Sequence, residues 1–97
     1  MENSKSPDPI TMVDQISKTL GLSLIPCESS NVVAMAHDYQ QRYLYILFKN
    51  QTLYRYYDQD YLVFLDLLRA ESKGKWVQEH LVKPQIEFKK WKYLTFE

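Results

Sequence analysis

The sequence predicts an α+β fold, namely a three-stranded antiparallel β-meander followed by two short helices, with an added N-terminal helix and a C-terminal extended arm. Two observations carry this prediction. Apolar residues recur at helical spacing before position 21 and after position 60, whereas the stretch between them is rich in residues that favour strands. The 97 residues suffice for a single domain, which we place at 9–97 behind a flexible leader at 1–8.

The N-terminal helix is predicted at 9–20. Asp8 followed by Pro9 is typical of a helix start, because the aspartate side chain accepts a backbone hydrogen bond and proline suits the first helical position. Gly21 stands where helices commonly end. A helix of this length is marginal on its own, so its apolar face must lie on another part of the domain.

Three strands are predicted at 32–37, 42–49 and 52–57, with Asn50 and Gln51 forming a two-residue turn between the last two. Such a turn pairs position 48 with position 53. Because side chains alternate across a strand, this register separates the hairpin into two unlike faces. One face carries Leu44, Ile46, Phe48 and Leu53, and the other carries Tyr43, Tyr45, Tyr54 and Tyr56.

The tyrosine face allows two interpretations. Aromatic rings carried on a sheet can stack unpaired bases, each for about 1–3 kcal/mol. Alternatively, the N-terminal helix or the C-terminal arm covers this face, and the tyrosines form a second small core with their hydroxyls at its rim. The sequence leaves both interpretations open.

Two helices are predicted after the hairpin. Asp58 is expected to cap the first, which runs to about position 71 and ends at Gly74. The second covers 75–81 and stops before Pro84. The remaining residues, 85–97, are too aromatic for a free tail and are expected to dock as a strand or extended arm.

Composition excludes several classes of protein. Twelve basic residues balance twelve acidic ones, so a binder that relies on overall charge is excluded. With only two glycines and one cysteine, the chain has neither a glycine-rich phosphate loop nor a site built from several cysteines. His37 and His80 show no catalytic or metal-ligand spacing. We therefore expect a non-enzymatic protein with no cofactor and no metal. The polar N-terminus and short apolar runs further predict no membrane partner and a cytoplasmic location.

Basic residues are concentrated in the last third of the chain. Residues 1–68 hold five bases and eight acids, whereas residues 69–97 hold seven bases and four acids. Two groups are candidate phosphate contacts: Lys73 and Lys75 around Gly74, and Lys89, Lys90 and Lys92 around Trp91. The first group is more typical of a helix C-terminus, and the second is equally typical of an edge strand whose lysines oppose aggregation.

Four segments together resemble the KTSC domain, named after a C-terminal domain of some lysyl-tRNA synthetases and also found as small stand-alone bacterial proteins. They are Ser29-Ser30-Asn31-Val32, Leu44-Tyr45-Ile46-Leu47-Phe48, Tyr54-Arg55-Tyr56 and Ala70-Glu71-Ser72-Lys73-Gly74-Lys75. The resemblance covers about 29–90 and implies a small α+β domain for which RNA binding is proposed from the synthetase context. The family usually has glycine in the hairpin turn, where this chain has Gln51.

These observations lead to the hypothesis of a binding module for RNA or single-stranded nucleic acid. The aromatic residues would stack bases, and the basic residues would contact phosphates. The predicted site comprises Tyr43, Tyr45, Tyr54, Arg55, Tyr56, Lys73, Lys75, Lys89, Lys90, Trp91 and Lys92. The alternative is a protein-interaction module or small regulator that uses the same aromatic surface, because tyrosine and tryptophan dominate interface hot spots.

Overall fold

The computed structural model describes residues 9–92. The predicted leader at 1–8, with its capping Asp8, and the last five residues of the arm lie outside the described residues. These residues form four helical elements: α1 (Pro9–Leu20), α2 (Tyr61–Arg69), α3 (Lys73–Val77) and a π-helical turn (Gln78–Val82) that continues α3. The same described range contains five strands: β1 (Ile25–Pro26), β2 (Val32–Asp38), β3 (Tyr43–Phe48), β4 (Thr52–Tyr56) and β5 (Phe88–Lys92).

The sheet is a five-stranded antiparallel meander in the order β1-β2-β3-β4-β5. The α+β class and the helix at 9–20 are confirmed, whereas the prediction of three strands is wrong. The short segment Ile25–Pro26 pairs with β2 and forms one edge of the sheet. Within the predicted arm, residues Phe88–Lys92 pair with β4 and form the other edge.

The predicted hairpin register is also wrong, by one residue. The loop between β3 and β4 has three residues, and its last residue, Gln51, adopts a positive φ of 65°. The Gln51 N–H donates to the Phe48 carbonyl at 3.0 Å, and the side chain of Asn50 accepts from the Thr52 N–H. This arrangement is a type of three-residue hairpin loop that ends in a left-handed residue. Ile46 therefore lies opposite Tyr54.

Each face of the sheet is covered. Helix α1 packs Met12 and Ile16 against one face, where Ala34, Ala36, Tyr45, Leu47 and Leu53 are buried. Helices α2 and α3 with the π-helical turn cover the other face. The core on that side contains Val32, Met35, Leu44, Ile46, Tyr56, Phe64, Leu67, Trp76, Val77 and Leu81. A sheet between two layers must be apolar on both sides.

The helix boundaries after the hairpin differ from the prediction. Asp60, not Asp58, caps α2 by accepting from the Val63 N–H at 3.1 Å. Asp58 instead has a positive φ of 59° and pairs with Arg42. Gly74 does not end a helix but lies inside α3, which Ser72 caps.

Candidate functional site

The four tyrosines of the predicted stacking surface do not share a face. Because the register differs by one residue, Tyr43 and Tyr45 lie on the α1 side, whereas Tyr54 and Tyr56 lie on the α3 side. Tyr45 and Tyr56 are 2% and 3% exposed. These two rings are therefore core residues, and only Tyr43 and Tyr54 are half-buried.

Arg55, a predicted phosphate contact, lies within an aromatic cluster on the α1 side of the sheet. Its guanidinium carbon is 4.6 Å from the ring centroid of Tyr43 and 5.1 Å from that of Trp91. The Arg55 Nε–H also donates to the Tyr45 hydroxyl at 2.9 Å. Cation–π contacts of this kind stabilise the arginine in place. The arginine therefore ties β3, β4 and β5 together on the face opposite Tyr54.

Lys73 serves the helix junction. Its ammonium donates to the Leu68 carbonyl at 3.2 Å and to the Ala70 carbonyl at 2.7 Å, at the C-terminal end of α2. Lysine is favourable there because the last carbonyls of a helix lack intrahelical partners. The Ser72 hydroxyl accepts from the Lys75 N–H. Of the two predicted phosphate contacts at this junction, only the exposed Lys75 has its side chain directed to solvent.

The basic residues of β5 divide between the two faces of the sheet. Lys89 stacks on Trp91 on the α1 side, with Nζ 5.4 Å from the ring centroid. Lys90 lies opposite Tyr54 on the α3 side, with Nζ 6.0 Å from the tyrosine ring centroid. Lys92 lies opposite Thr52, which places it on the same side as Lys90. The interleaving of lysine and tryptophan in the sequence is thus spread over two separate surfaces.

A groove between the β4–β5 edge and the α3 layer brings together residues from separate parts of the sequence. Its hairpin end is a cavity of about 480 Å³ lined by residues that include Asn31, Phe48, Lys49 and Gln78. A second cavity of about 400 Å³ follows along β5 and is lined by residues that include Gln85, Glu87 and Phe88. Tyr54, Tyr56 and Val82 line both cavities, so the two form one continuous groove.

Aromatic rings form the sheet side of this groove. Tyr54 lies at their centre, with its ring centroid 5.2 Å from those of Phe48 and Phe88 and 5.6 Å from that of Tyr56. Phe88 is 48% exposed, so one part of its ring is open to the groove. Sequence reasoning missed Phe88 because the position of the arm on the sheet was unknown.

The charge of the groove changes along its length. The hairpin end has Lys49 in its wall and Lys90 beside Tyr54. The far end has the carboxylate of Glu87. Burial raises the pKa of Tyr56, so this phenol keeps its proton well above neutral pH. The positive end suits an anionic group, and the aromatic centre suits a flat apolar ring.

Other kinds of site find no support in residues 9–92. That part of the chain contains no group of three or more histidine, cysteine, aspartate or glutamate side chains arranged to hold a metal ion. None of its helices is long and apolar enough to cross a membrane. His37 Nε2 lies 2.7 Å from the Gln59 carbonyl, and His80 Nδ1 lies 3.0 Å from the Trp76 carbonyl.

Comparisons with known proteins agree with the sequence resemblance. A family model described as the KTSC domain matches residues 28–84. A protein from Tsukamurella paurometabola is 40% identical over 61 residues, which cover 63% of this chain and 90% of that protein. The crystal structure of a KTSC domain protein from Yersinia pestis has the same fold, with a TM-score of 0.65 and 24% identity, and covers 72% of this chain and 97% of its own. The chain belongs to the KTSC domain family.

Proposed function

We propose that this protein binds RNA or single-stranded nucleic acid in the groove between the β4–β5 edge and α3. The observation that carries the proposal is the pairing of the half-buried Tyr54 and half-exposed Phe88 with the adjacent Lys90. Rings of this kind stack unpaired bases, while lysines beside them contact phosphates. This surface differs from the one predicted from the sequence, but it likewise combines aromatic rings that stack bases with lysines that contact phosphates.

Single strands fit this groove better than a duplex. Tyr54 and Phe88 lie on the floor and edge of a concave surface bounded by the π-helical turn. A base can stack there only if its own faces are free, as in single-stranded loops and ends. The lysines at the hairpin end then place the sugar-phosphate backbone, and the carboxylate of Glu87 repels it from the far end.

The chain offers a matched pair of variants for testing this proposal. Lys89 and Lys90 are adjacent, both are exposed, and each lies over an aromatic ring, but they face opposite sides of the sheet. Lys90→Glu and Lys89→Glu therefore change the net charge equally. Only Lys90→Glu places the new carboxylate at the groove.

The measurement is fluorescence anisotropy of labelled single-stranded RNA, single-stranded DNA and tRNA, at low salt and at about 0.15 M salt, where charges are screened beyond about 8 Å. We expect Lys90→Glu to weaken binding about tenfold and to lower the salt slope by about one. Lys89→Glu is expected to change the affinity less than threefold. Equal losses in both variants would indicate non-specific attraction, and no binding at low salt would reject the proposal.

A second candidate function is a protein-interaction module. The observation that favours it is a separate pair of exposed rings, Tyr39 and Tyr61, which are 76% and 45% exposed with centroids 6.3 Å apart. Leu62, the next residue of α2, is 71% exposed. Exposed aromatic clusters are typical of protein interfaces. If the anisotropy experiment finds no nucleic-acid binding, a partner captured by the wild type after nuclease treatment but lost in Leu62→Asp would support this function.

A further inference from the structure

The hairpin end of the groove contains a close contact between Asn31 and Gly74. A Cβ atom at Gly74 would lie 2.7 Å from Asn31 Nδ2, closer than such atoms approach in proteins, and 3.7 Å from Asn31 Cγ. Gly74 is inside α3 and does not have the positive φ that favours glycine, which is found at Gly21 instead. Within a helix, glycine is less favourable than alanine. The backbone of α3 therefore does not require glycine here, whereas the observed orientation of the Asn31 side chain does.

The main chain of Asn31 is fixed, while its side-chain amide is available. The Asn31 N–H donates to the Ser29 hydroxyl at 3.2 Å, and the Asn31 carbonyl accepts from the Lys49 N–H at 2.8 Å. Among residues 9–92, no hydrogen bond to the Asn31 amide group is found. The amide lies in the wall of the same cavity as Tyr54 and the exposed Gln78. The backbone hydrogen bonds of Asn31 thus hold the amide beside the aromatic surface, and Gly74, which lacks a Cβ atom, leaves room for it.

We propose that Asn31 reads the edge of an adenine that stacks on Tyr54, and that Gly74 positions Asn31 by leaving room for its amide. This inference rests on the proposed function of the groove. An asparagine amide pairs with adenine in a bidentate manner: its oxygen accepts from the adenine amino group, and its nitrogen donates to N7. The hairpin cavity has amides and Lys49 in its wall, and Glu87 lies only in the far cavity.

The experiment compares the affinities for three labelled RNA 12-mers, made only of adenosine, of uridine or of cytidine. The full-length proteins are the wild type, Asn31→Ala, Gly74→Ala and the double variant. We expect the wild type to prefer the adenosine oligomer about tenfold, the value of one bidentate base contact of about 1.4 kcal/mol. Each single variant is expected to lower that affinity to the level of the other two oligomers.

Gly74→Ala separates positioning from stability. Alanine is the better helix former, and the atom it would approach is the end of a flexible side chain, which can turn away. We therefore expect an unfolding temperature no lower than that of the wild type, together with the loss of the adenosine preference. In the double variant, Gly74→Ala should add nothing to Asn31→Ala, because the two substitutions remove the same contact.

The outcomes distinguish this inference from the proposed function. If all three oligomers bind equally and Lys90→Glu still weakens binding, the groove binds nucleic acid but Asn31 does not read a base. If Gly74→Ala keeps the preference that Asn31→Ala loses, the positioning role of Gly74 is wrong. If no oligomer binds the wild type at low salt, both the inference and the proposed function are rejected.

Discussion

Replacing Gln51 by glycine tests the left-handed backbone conformation that the three-residue loop between β3 and β4 requires. Gln51 has a φ of 65°, in the left-handed region, at the end of the three-residue loop. An L-residue in this conformation costs about 1–2 kcal/mol that glycine does not incur. Against this gain, glycine loses about 0.5–1 kcal/mol more conformational free energy on folding. We therefore expect Gln51→Gly to raise the free energy of unfolding by about 0.5–1 kcal/mol.

The assay is thermal and urea unfolding followed by circular dichroism. For a domain of this size, about 1 kcal/mol shifts the unfolding temperature by about 4–8 °C, so Gln51→Gly should raise it by about 2–8 °C. Gln51→Ala is the control for the lost side chain, because alanine keeps the cost of the positive φ. Gly21→Ala is the control of opposite sign, because Gly21 has a φ of 70° and no atom within 4 Å of an added Cβ.

The result that would refute this reasoning is a gain in stability from Gln51→Ala equal to that from Gln51→Gly, or a loss of stability from glycine. Either result would mean that Gln51 is not in the left-handed region and that the loop is not a three-residue loop. The pairing of Ile46 with Tyr54 would then fail. Tyr54 would no longer belong to the groove, and the proposed function would lose its central residue.

Two further predictions concern the buried ring of Tyr56 and the hydrogen-bonded ammonium of Lys73. Burial raises the pKa of Tyr56, so the phenol of the unfolded state loses its proton first, near pH 10, and folding stability is lost as the pH rises above that value. Tyr56→Phe should therefore reduce the slope of the unfolding free energy against pH by up to about 1.4 kcal/mol per pH unit. Urea titrations between about pH 9 and 11 measure this slope. Lys73→Met should lower the free energy of unfolding by about 1 kcal/mol, because the hydrogen bonds from the Lys73 ammonium to the end of α2 are lost. In fluorescence anisotropy the same variant should bind RNA with an affinity within threefold of the wild type. A larger loss of affinity would mean that Lys73 contacts the nucleic acid.

The register was not predictable from the sequence because the sheet lies between two layers. A one-sided sheet alternates apolar and polar residues, and that alternation fixes which residues face the core. In β3, the four residues from Leu44 to Leu47 are all buried. Such a strand fits either register equally well. The register is then set by the turn, and the sequence Asn50-Gln51 is compatible with a loop of two residues or of three.

Other elements were predictable because their signals are local. The helix at 9–20 has a proline start, an apolar stripe and a terminal glycine, and its bounds agree with Pro9–Leu20. In contrast, the role of Gly74 is set by Asn31, more than forty positions earlier in the chain. A local rule identifies Gly74 as a helix terminator, and only the packing of α3 against the start of β2 shows otherwise.

The shift of one residue also explains why the groove is a better candidate for binding than the surface first predicted. It turns Tyr54 and Tyr56 toward α3, where Asn31 and Gly74 line the same cavity. All four segments that carry the family resemblance therefore meet there, although they are separated in the sequence. Arg55, between the two tyrosines, faces the other side and is held by its aromatic cluster. A purely structural role would be served by burying Tyr54 as fully as Tyr56. Its partial exposure between two cavities is why we place the proposed ligand against it.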